Sequence, residues 1–165
     1  MCACNSLRRA SRAVTQLFDQ TLEPSGLRST QLVILLEIAV AESATVPELA
    51  RRLVMERSTM QRNLQPLLKR RFIQVSADSA RRSRGLTLTP QGRRAIDTAV
   101  PLWKKAQSSF VTHLGRRRWD LLREDLSAAV LAARSDMPEA SRSPRTAVRT
   151  RTGASRRTQT RSRGR

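Results

Sequence analysis

The sequence predicts a mainly α-helical domain with one small β-hairpin, followed by a segment that contributes nothing to a core. Three observations lead there. Apolar residues recur at helical spacing through most of residues 7 to 133, the period turns strand-like only around 72 to 89, and the apolar pattern stops after Met137. With 165 residues and 39% hydrophobic content, the chain has the length of one ordinary domain and a tail.

The first helical pattern is Leu7, Ala10, Val14, Leu17 or Phe18, and Leu22, and it ends at Pro24-Ser25-Gly26. Leu32, Leu35, Leu36 and Ala39 mark the second helix, and Val33, Ile34 and Ile38 make it apolar nearly all round, as a core helix is. Next, Thr45 is placed to cap a helix, Pro47 suits its first turn, and Glu48 stands where a capping box wants a carboxylate. This third helix is short and turns Leu49, Ala50 and Leu53 inward. After Val54-Met55-Glu56, a fourth pattern starts near Ser58 and passes through Met60, Leu64, Leu67 and Leu68 toward Arg70. Two short helices joined so tightly form a helix-turn-helix. Pro66 deletes one backbone hydrogen bond inside the fourth helix, so a local kink is expected there.

Phe72-Ile73-Gln74-Val75 and Leu86-Thr87-Leu88-Thr89 then enclose a basic stretch from Ala77 to Gly85. A hairpin with an Arg-rich tip, appended to a helix-turn-helix, makes a winged helix-turn-helix domain. In that arrangement the fourth helix enters the major groove of DNA and the hairpin tip reaches phosphates or the neighbouring minor groove. Pro90-Gln91-Gly92 opens a fifth helix through Ile96, Val100, Trp103, Phe110 and Leu114; Gly115 interrupts it, and a last helix runs through Trp119, Leu122, Leu126, Val130 and Ala133. The flanking N- and C-terminal helices carry more apolar surface than a small winged-helix core covers. They are therefore expected to be dimerisation helices of a homodimer.

Charge names the class of partner. Lys and Arg number 32 against 13 Asp and Glu, a net +19, so a polyanion is the natural ligand. Residues 138 to 165 hold nine Arg and one Glu, +8 of that total, which leaves +11 on residues 1 to 137. The first 137 residues are expected to be the folded domain and 138 to 165 a disordered Arg-rich tail, since the tail has no amphipathic period. With three Phe, two Trp and no Tyr, stacking on single strands is disfavoured and double-stranded DNA fits better. No apolar run approaches the roughly 20 residues that span a bilayer, and the N-terminus lacks a signal peptide's apolar centre. A cytoplasmic protein without membrane contact is expected.

Other chemistries find little support. His113 is the lone histidine and no Cys/His cluster has ligand spacing, so no metal site is expected. Without a Gly-rich phosphate loop, a nucleophile elbow or a paired-carboxylate motif, neither enzymatic activity nor a cofactor is expected. Cys2 and Cys4 cannot staple the fold. They lie beside Arg8, Arg9 and Arg12, a setting that favours thiol reactivity, which makes them redox candidates. The competing reading is a frayed terminus, because a bridge across one residue is strained and the chain offers no other resolving cysteine.

Several short motifs occur in a fixed order: Gly26-Leu27-Arg28-Ser29-Thr30-Gln31, Thr45-Val46-Pro47-Glu48-Leu49-Ala50 with Leu53, Arg57-Ser58-Thr59-Met60-Gln61-Arg62-Asn63-Leu64, Arg81-Arg82, and Leu86-Thr87-Leu88-Thr89-Pro90-Gln91-Gly92. The ordered set resembles the MarR-type winged-helix regulators over residues 7 to 136. That resemblance implies a triangular homodimer that binds a pseudo-palindromic double-stranded DNA operator and most often represses nearby genes. It also implies release when a small molecule or oxidant changes the spacing of the two DNA-binding lobes, with a small-molecule effector pocket between the first, second and fifth helices. Phe18, Met55 and Trp103 fit either the core or such a pocket.

Matched position by position, Ser58, Thr59, Gln61 and Arg62 correspond to the family's recognition-helix surface, and Arg81, Arg82 and Arg84 to its wing. The chemistry agrees: Arg62 can grip guanine O6 and N7 in bidentate fashion, and Gln61 adenine N6 and N7. Ser58 fits a helix cap equally well. Two positions depart from the family pattern. Ala80 replaces the Asp that usually precedes the wing Arg pair, with Asp78 nearby as a substitute, and Arg71 stands where a Gly usually follows the recognition helix. The alternative function is a nucleoid-associated or general nucleic-acid-binding protein whose basic tail coats DNA.

Overall fold

In a computed structural model of the chain, which describes residues 2–76 and 85–135, the helix breaks fall at the sequence's punctuation. α1 (Ala3–Leu22) runs into one 3-10 turn, Glu23–Ser25, closed by Gly26 at φ +67°. α2 (Ser29–Ala41) buries Leu32, Ile34, Leu35 and Ile38 and packs against α1, against the three helices that follow it and against the second strand of the hairpin. It is the central helix that its nearly uniform apolarity predicts. Its start is held by a residue that no periodicity or cap motif singles out. Asp19 of α1 accepts hydrogen bonds from the Ser29 N–H at 2.7 Å and the Ser29 hydroxyl at 2.6 Å, placing a carboxylate at the positive end of α2.

α3 (Val46–Arg52) opens with the expected capping box. The Thr45 hydroxyl accepts from the Glu48 N–H at 3.4 Å while the Glu48 carboxylate accepts from the Thr45 N–H at 2.8 Å. The turn to α4 is tight: the Met55 N–H donates to the Ala50 carbonyl at 2.8 Å, which leaves Val54 at φ +53°. A β-branched residue in the left-handed region is strained, because its Cβ crowds the following carbonyl.

α4 (Arg57–Lys69) continues through Pro66 and buries Met60, Leu64 and Leu67. Its N-cap residue is Glu56, so Ser58 sits inside the first turn and is not the cap. At the other end Arg71 adopts φ +54°, with its N–H on the Leu68 carbonyl and the Phe72 N–H on the Leu67 carbonyl, both at 2.9 Å. This pair of bonds is the Schellman closure that usually carries glycine; here an arginine fills it at a cost of about 1 kcal/mol.

β1 (Ile73–Ser76) and β2 (Gly85–Leu88) pair antiparallel, Ile73 opposite Leu88 and Ser76 opposite Gly85. Ala44 adds an isolated bridge to β2 that the sequence pattern does not predict: its N–H and carbonyl exchange bonds of 3.1 and 2.8 Å with Leu86. A single residue has no period to read. The hairpin tip with Arg81, Arg82, Arg84, Asp78 and Ala80, and the segment 138–165, lie outside the described residues.

α5 (Pro90–Leu114) starts against the end of α4. The Thr89 hydroxyl accepts from the Gly92 N–H at 3.0 Å and donates to the Arg71 carbonyl at 2.6 Å, while the Thr89 N–H donates to the Phe72 carbonyl at 3.0 Å. A Cβ on Gly92 would collide with that Phe72 carbonyl. Further along, Ile96, Ala99 and Ala106 are buried; the two alanines are small enough for α1 to lie close along α5. Gly115 at φ +90° then turns the chain into α6 (Arg116–Ser135), and Phe110 meets Trp119 edge-to-face across this corner, centroids 5.7 Å apart. The first compact unit ends at Ala128, inside α6. Among the described residues, no helix is long and apolar enough to cross a membrane.

Two substitutions check these backbone arguments. Gly92→Ala is expected to destabilise the fold by about 2 kcal/mol, read as a lower urea midpoint, because the obstacle is main chain and cannot rotate away. Val54→Gly is expected to gain about 1 kcal/mol in the same assay by removing the left-handed strain from an exposed position.

Candidate functional site

The geometry of α4 divides its residues between two jobs. Met60, Leu64 and Leu67 point into the core, and Ser58, Gln61, Arg62 and Gln65 line a shallow depression on the outer side. These four stand at i, i+3, i+4 and i+7, one exposed stripe of a helix. Gln65 completes a stripe of which the sequence motif supplies three members; its spacing from Ser58 and Gln61 was the available signal. Guanidinium and carboxamide groups side by side can each form two-bond contacts with purine edges, and Ser58 can serve a base or a phosphate.

Thr59 occupies a different direction. It is half-buried, its hydroxyl accepts from Arg62 Nη2 at 3.3 Å, and its carbonyl accepts from Asn63 Nδ2 at 3.0 Å. In this geometry the Thr59 hydroxyl holds the Arg62 head group beside the stripe. Arg57 and Lys69 are exposed at the two ends of α4, where cations suit flanking phosphates.

Other arginines are engaged within the fold. Arg70 donates from Nη1 to the Gly26 carbonyl at 2.6 Å and lies 4.4 Å above the centroid of the Phe72 ring. It ties the end of α4 to the corner before α2 through a hydrogen bond and a cation-π contact. Arg52 pairs with Glu37 at 3.3 Å on the surface. For the wing, the described part is its base: β1 and β2 fix where the strands leave the domain, and Arg81, Arg82 and Arg84 lie beyond that point.

A second concavity, about 380 Å³, lies between α1, α2, α5 and the α3–α4 turn. α1 contributes Val14, Thr15 and Phe18; α2 contributes Ser29, Thr30 and Val33. Leu53 and Met55 of the turn and Trp103 of α5 complete its lining. Phe18, Met55 and Trp103, which the sequence leaves between core and ligand contact, thus meet at one cleft. Phe18 is buried and the other two are half-buried.

Cys2 and Cys4 are exposed and carry no disulfide, Cys2 at the N-cap of α1 and Cys4 in its first turn. His113 is exposed, its Nδ1 2.7 Å from the Ser109 carbonyl. Among the described residues, no three His, Cys, Asp or Glu side chains gather as a metal site would require.

Comparison with known proteins follows the same lines. The model of the MarR family matches residues 25–83, from the corner before α2 to the hairpin. The M. tuberculosis transcriptional regulator MosR is 36% identical; the match covers 81% of this chain and 96% of that one, with a TM-score of 0.72. The structure of MosR in complex with DNA is also 36% identical and matches over 82% and 98% of the two chains, with a TM-score of 0.73. The transcriptional repressor CouR, bound to a 23-mer DNA duplex, is 26% identical over 78% of this chain and 92% of its own, with a TM-score of 0.70. A comparison with curated proteins gives no match.

Arg62→Ala tests the stripe. Arg62 is exposed, so thermal stability is expected to stay unchanged, while discrimination at one base position falls by about 1 to 3 kcal/mol across a panel of duplexes. Unchanged base preference would remove Arg62 from the interface.

Proposed function

This chain is a MarR-family transcriptional regulator, and we propose that it acts as a homodimeric repressor of nearby genes, reading a duplex operator and releasing it on a small-molecule or oxidant signal. The observation that carries the reading is the two-sided α4, locked by Met60, Leu64 and Leu67 and open along Ser58, Gln61, Arg62 and Gln65. A stripe of hydrogen-bonding side chains on a firmly seated helix suits major-groove base edges. The relatives solved on DNA, MosR and CouR, support the same use of the fold.

Dimerisation is supported by what the single chain leaves uncovered. In α1, residues 3 to 13 are all exposed, Leu7 among them, and α6 has no buried residue and exposes Leu121 and Leu126. A second copy covering these helices would remove that apolar surface from water. The cleft supports a small-molecule signal: Leu53 and Met55 are at once its wall and the two sides of the strained Val54 turn that leads into α4. A molecule lodged there presses on the attachment of the recognition helix. For an oxidant, the exposed Cys2 and Cys4 are the candidate sensors.

The competing reading, a protein that coats DNA through residues 138–165, draws on the nine arginines of that segment. Selection of bound duplexes from a random pool, run with the full chain and with residues 138–165 deleted, separates the two. A regulator enriches one pseudo-palindromic sequence in both forms, and deletion lowers the salt slope by about 0.9 for each phosphate that the segment had neutralised. Absence of any enriched sequence, or loss of nearly all binding on deletion, would overturn the repressor reading.

A further inference from the structure

We propose that Arg70 is a positioning residue for operator recognition: it fixes the angle at which α4 presents its outer stripe, and it does so without touching DNA. The assignment rests on reading α4 as the helix that contacts base edges, and it adds to that reading a cation whose work is done inside the domain.

Position and charge alone suggest a different role. Arg70 is the exposed C-cap residue of α4, next to Lys69, where a cation is well placed for a flanking phosphate. The geometry turns its head group away from that use. Nη1 donates to the Gly26 carbonyl at 2.6 Å, a Cβ on Gly26 would stand 3.2 Å from Nη2, and the guanidinium carbon lies 4.4 Å from the centroid of the Phe72 ring. One edge of the guanidinium and one of its faces are thus committed to the chain itself.

Both anchors are firm. Ser25 ties the corner that Gly26 closes: its hydroxyl donates to the Leu22 carbonyl at 2.6 Å and accepts from the Leu27 N–H at 3.2 Å, and both leucines are buried. The Gly26 N–H adds a bond of 2.8 Å to the Glu23 carbonyl. On the other side, Phe72 is buried and its N–H bonds the Leu67 carbonyl.

Between these anchors lies the part of α4 with the least support. Beyond Leu67 the helix has no fully buried side chain, and its closing turn passes through Arg71 at φ +54°, a conformation that costs an arginine energy. A helix seated by one row of side chains can roll about that row. The Arg70 bond to a corner 44 residues away in sequence opposes the roll at the end where core contacts are fewest. Two-bond contacts with purine edges tolerate little displacement, so a small roll lowers base discrimination and leaves general attraction to phosphate intact.

The test compares wild type, Arg70→Lys and Arg70→Ala in the full chain, each assayed well below its melting temperature. Affinity is measured over a range of salt for the duplex that wild type selects and for a duplex of random sequence. Lysine keeps the charge but cannot lie flat on the ring while donating to the carbonyl. Both variants are expected to lose about five- to tenfold in operator affinity, with random-duplex affinity within about twofold of wild type and the salt slope unchanged. Gly26→Ala supplies the change from the other side, since its methyl group crowds Nη2 and leaves the charge in place. Its loss of operator affinity is expected to shrink to about twofold or less in the Arg70→Ala background.

Operator binding by Arg70→Lys equal to that of wild type sinks the assignment. So does an Arg70→Ala protein that weakens on both duplexes together with a salt slope lower by about 0.9 for each phosphate released, the mark of a direct phosphate contact. Independent losses from Gly26→Ala and Arg70→Ala would overturn it too, because the bond between the two residues would not carry the effect. If wild type prefers no duplex over random sequence, the reading of α4 and the role of Arg70 fall together.

Discussion

The residue on which the rest of the domain converges is Phe72. Its N–H closes the end of α4 on Leu67, its carbonyl receives the Thr89 N–H, and its buried ring lies under Arg70. Gly92 lies against its backbone so closely that no side chain fits between them. The end of α4, the hairpin base and the long α5 are thereby fixed to a single residue. The motif from Leu86 to Gly92 acquires a physical meaning from this: its first three residues pair with β1, Thr89 caps α5 while bonding across to Arg71, and the glycine permits the approach.

This junction also governs how the arginines are used. A net charge of +19 suggests a uniformly adhesive surface, yet Arg70 is spent on Gly26 and Phe72, Arg71 fills a backbone turn, and Arg52 faces Glu37. Charge that positions α4 is distinct from charge left free on its outer side. The α4 stripe contributes one cation, Arg62, among three neutral polar residues, a composition suited to telling bases apart more than to attracting phosphate. Exposed cations such as Arg57 and Lys69 stand outside that stripe, at the two ends of α4.

Features carried by periodicity and caps were legible in the sequence. The helix order, the capping box at Thr45 and Glu48, the break at Pro24 to Gly26 and the hairpin all follow from spacing or from a named cap. Features resting on a single residue or on distant partners were not. Ala44 makes its rung alone, Asp19 caps α2 from the preceding helix, and Ala99 and Ala106 are buried because a neighbour must come close, not because they are strongly hydrophobic. In the site, Ser58, Gln61 and Arg62 fall on one face, Gln65 joins them, and the Thr59 hydroxyl bonds the Arg62 head group. Left-handed backbone at Val54 and Arg71 was hidden for another reason: the residue type there argues against the conformation, and tertiary packing overrides it.

The separation of duties around α4 has an evolutionary consequence. Since the residues that seat the helix and those that face outward occupy opposite sides, a gene duplicate can exchange Ser58, Gln61, Arg62 and Gln65 without disturbing Met60, Leu64 or Leu67. On the proposed use of α4, new operators become accessible through a few codons, each intermediate remaining a folded protein. Paralogues built on this scaffold should therefore diverge fastest along that stripe and slowest around Phe72, so that lineages keep one architecture while their regulatory targets drift apart.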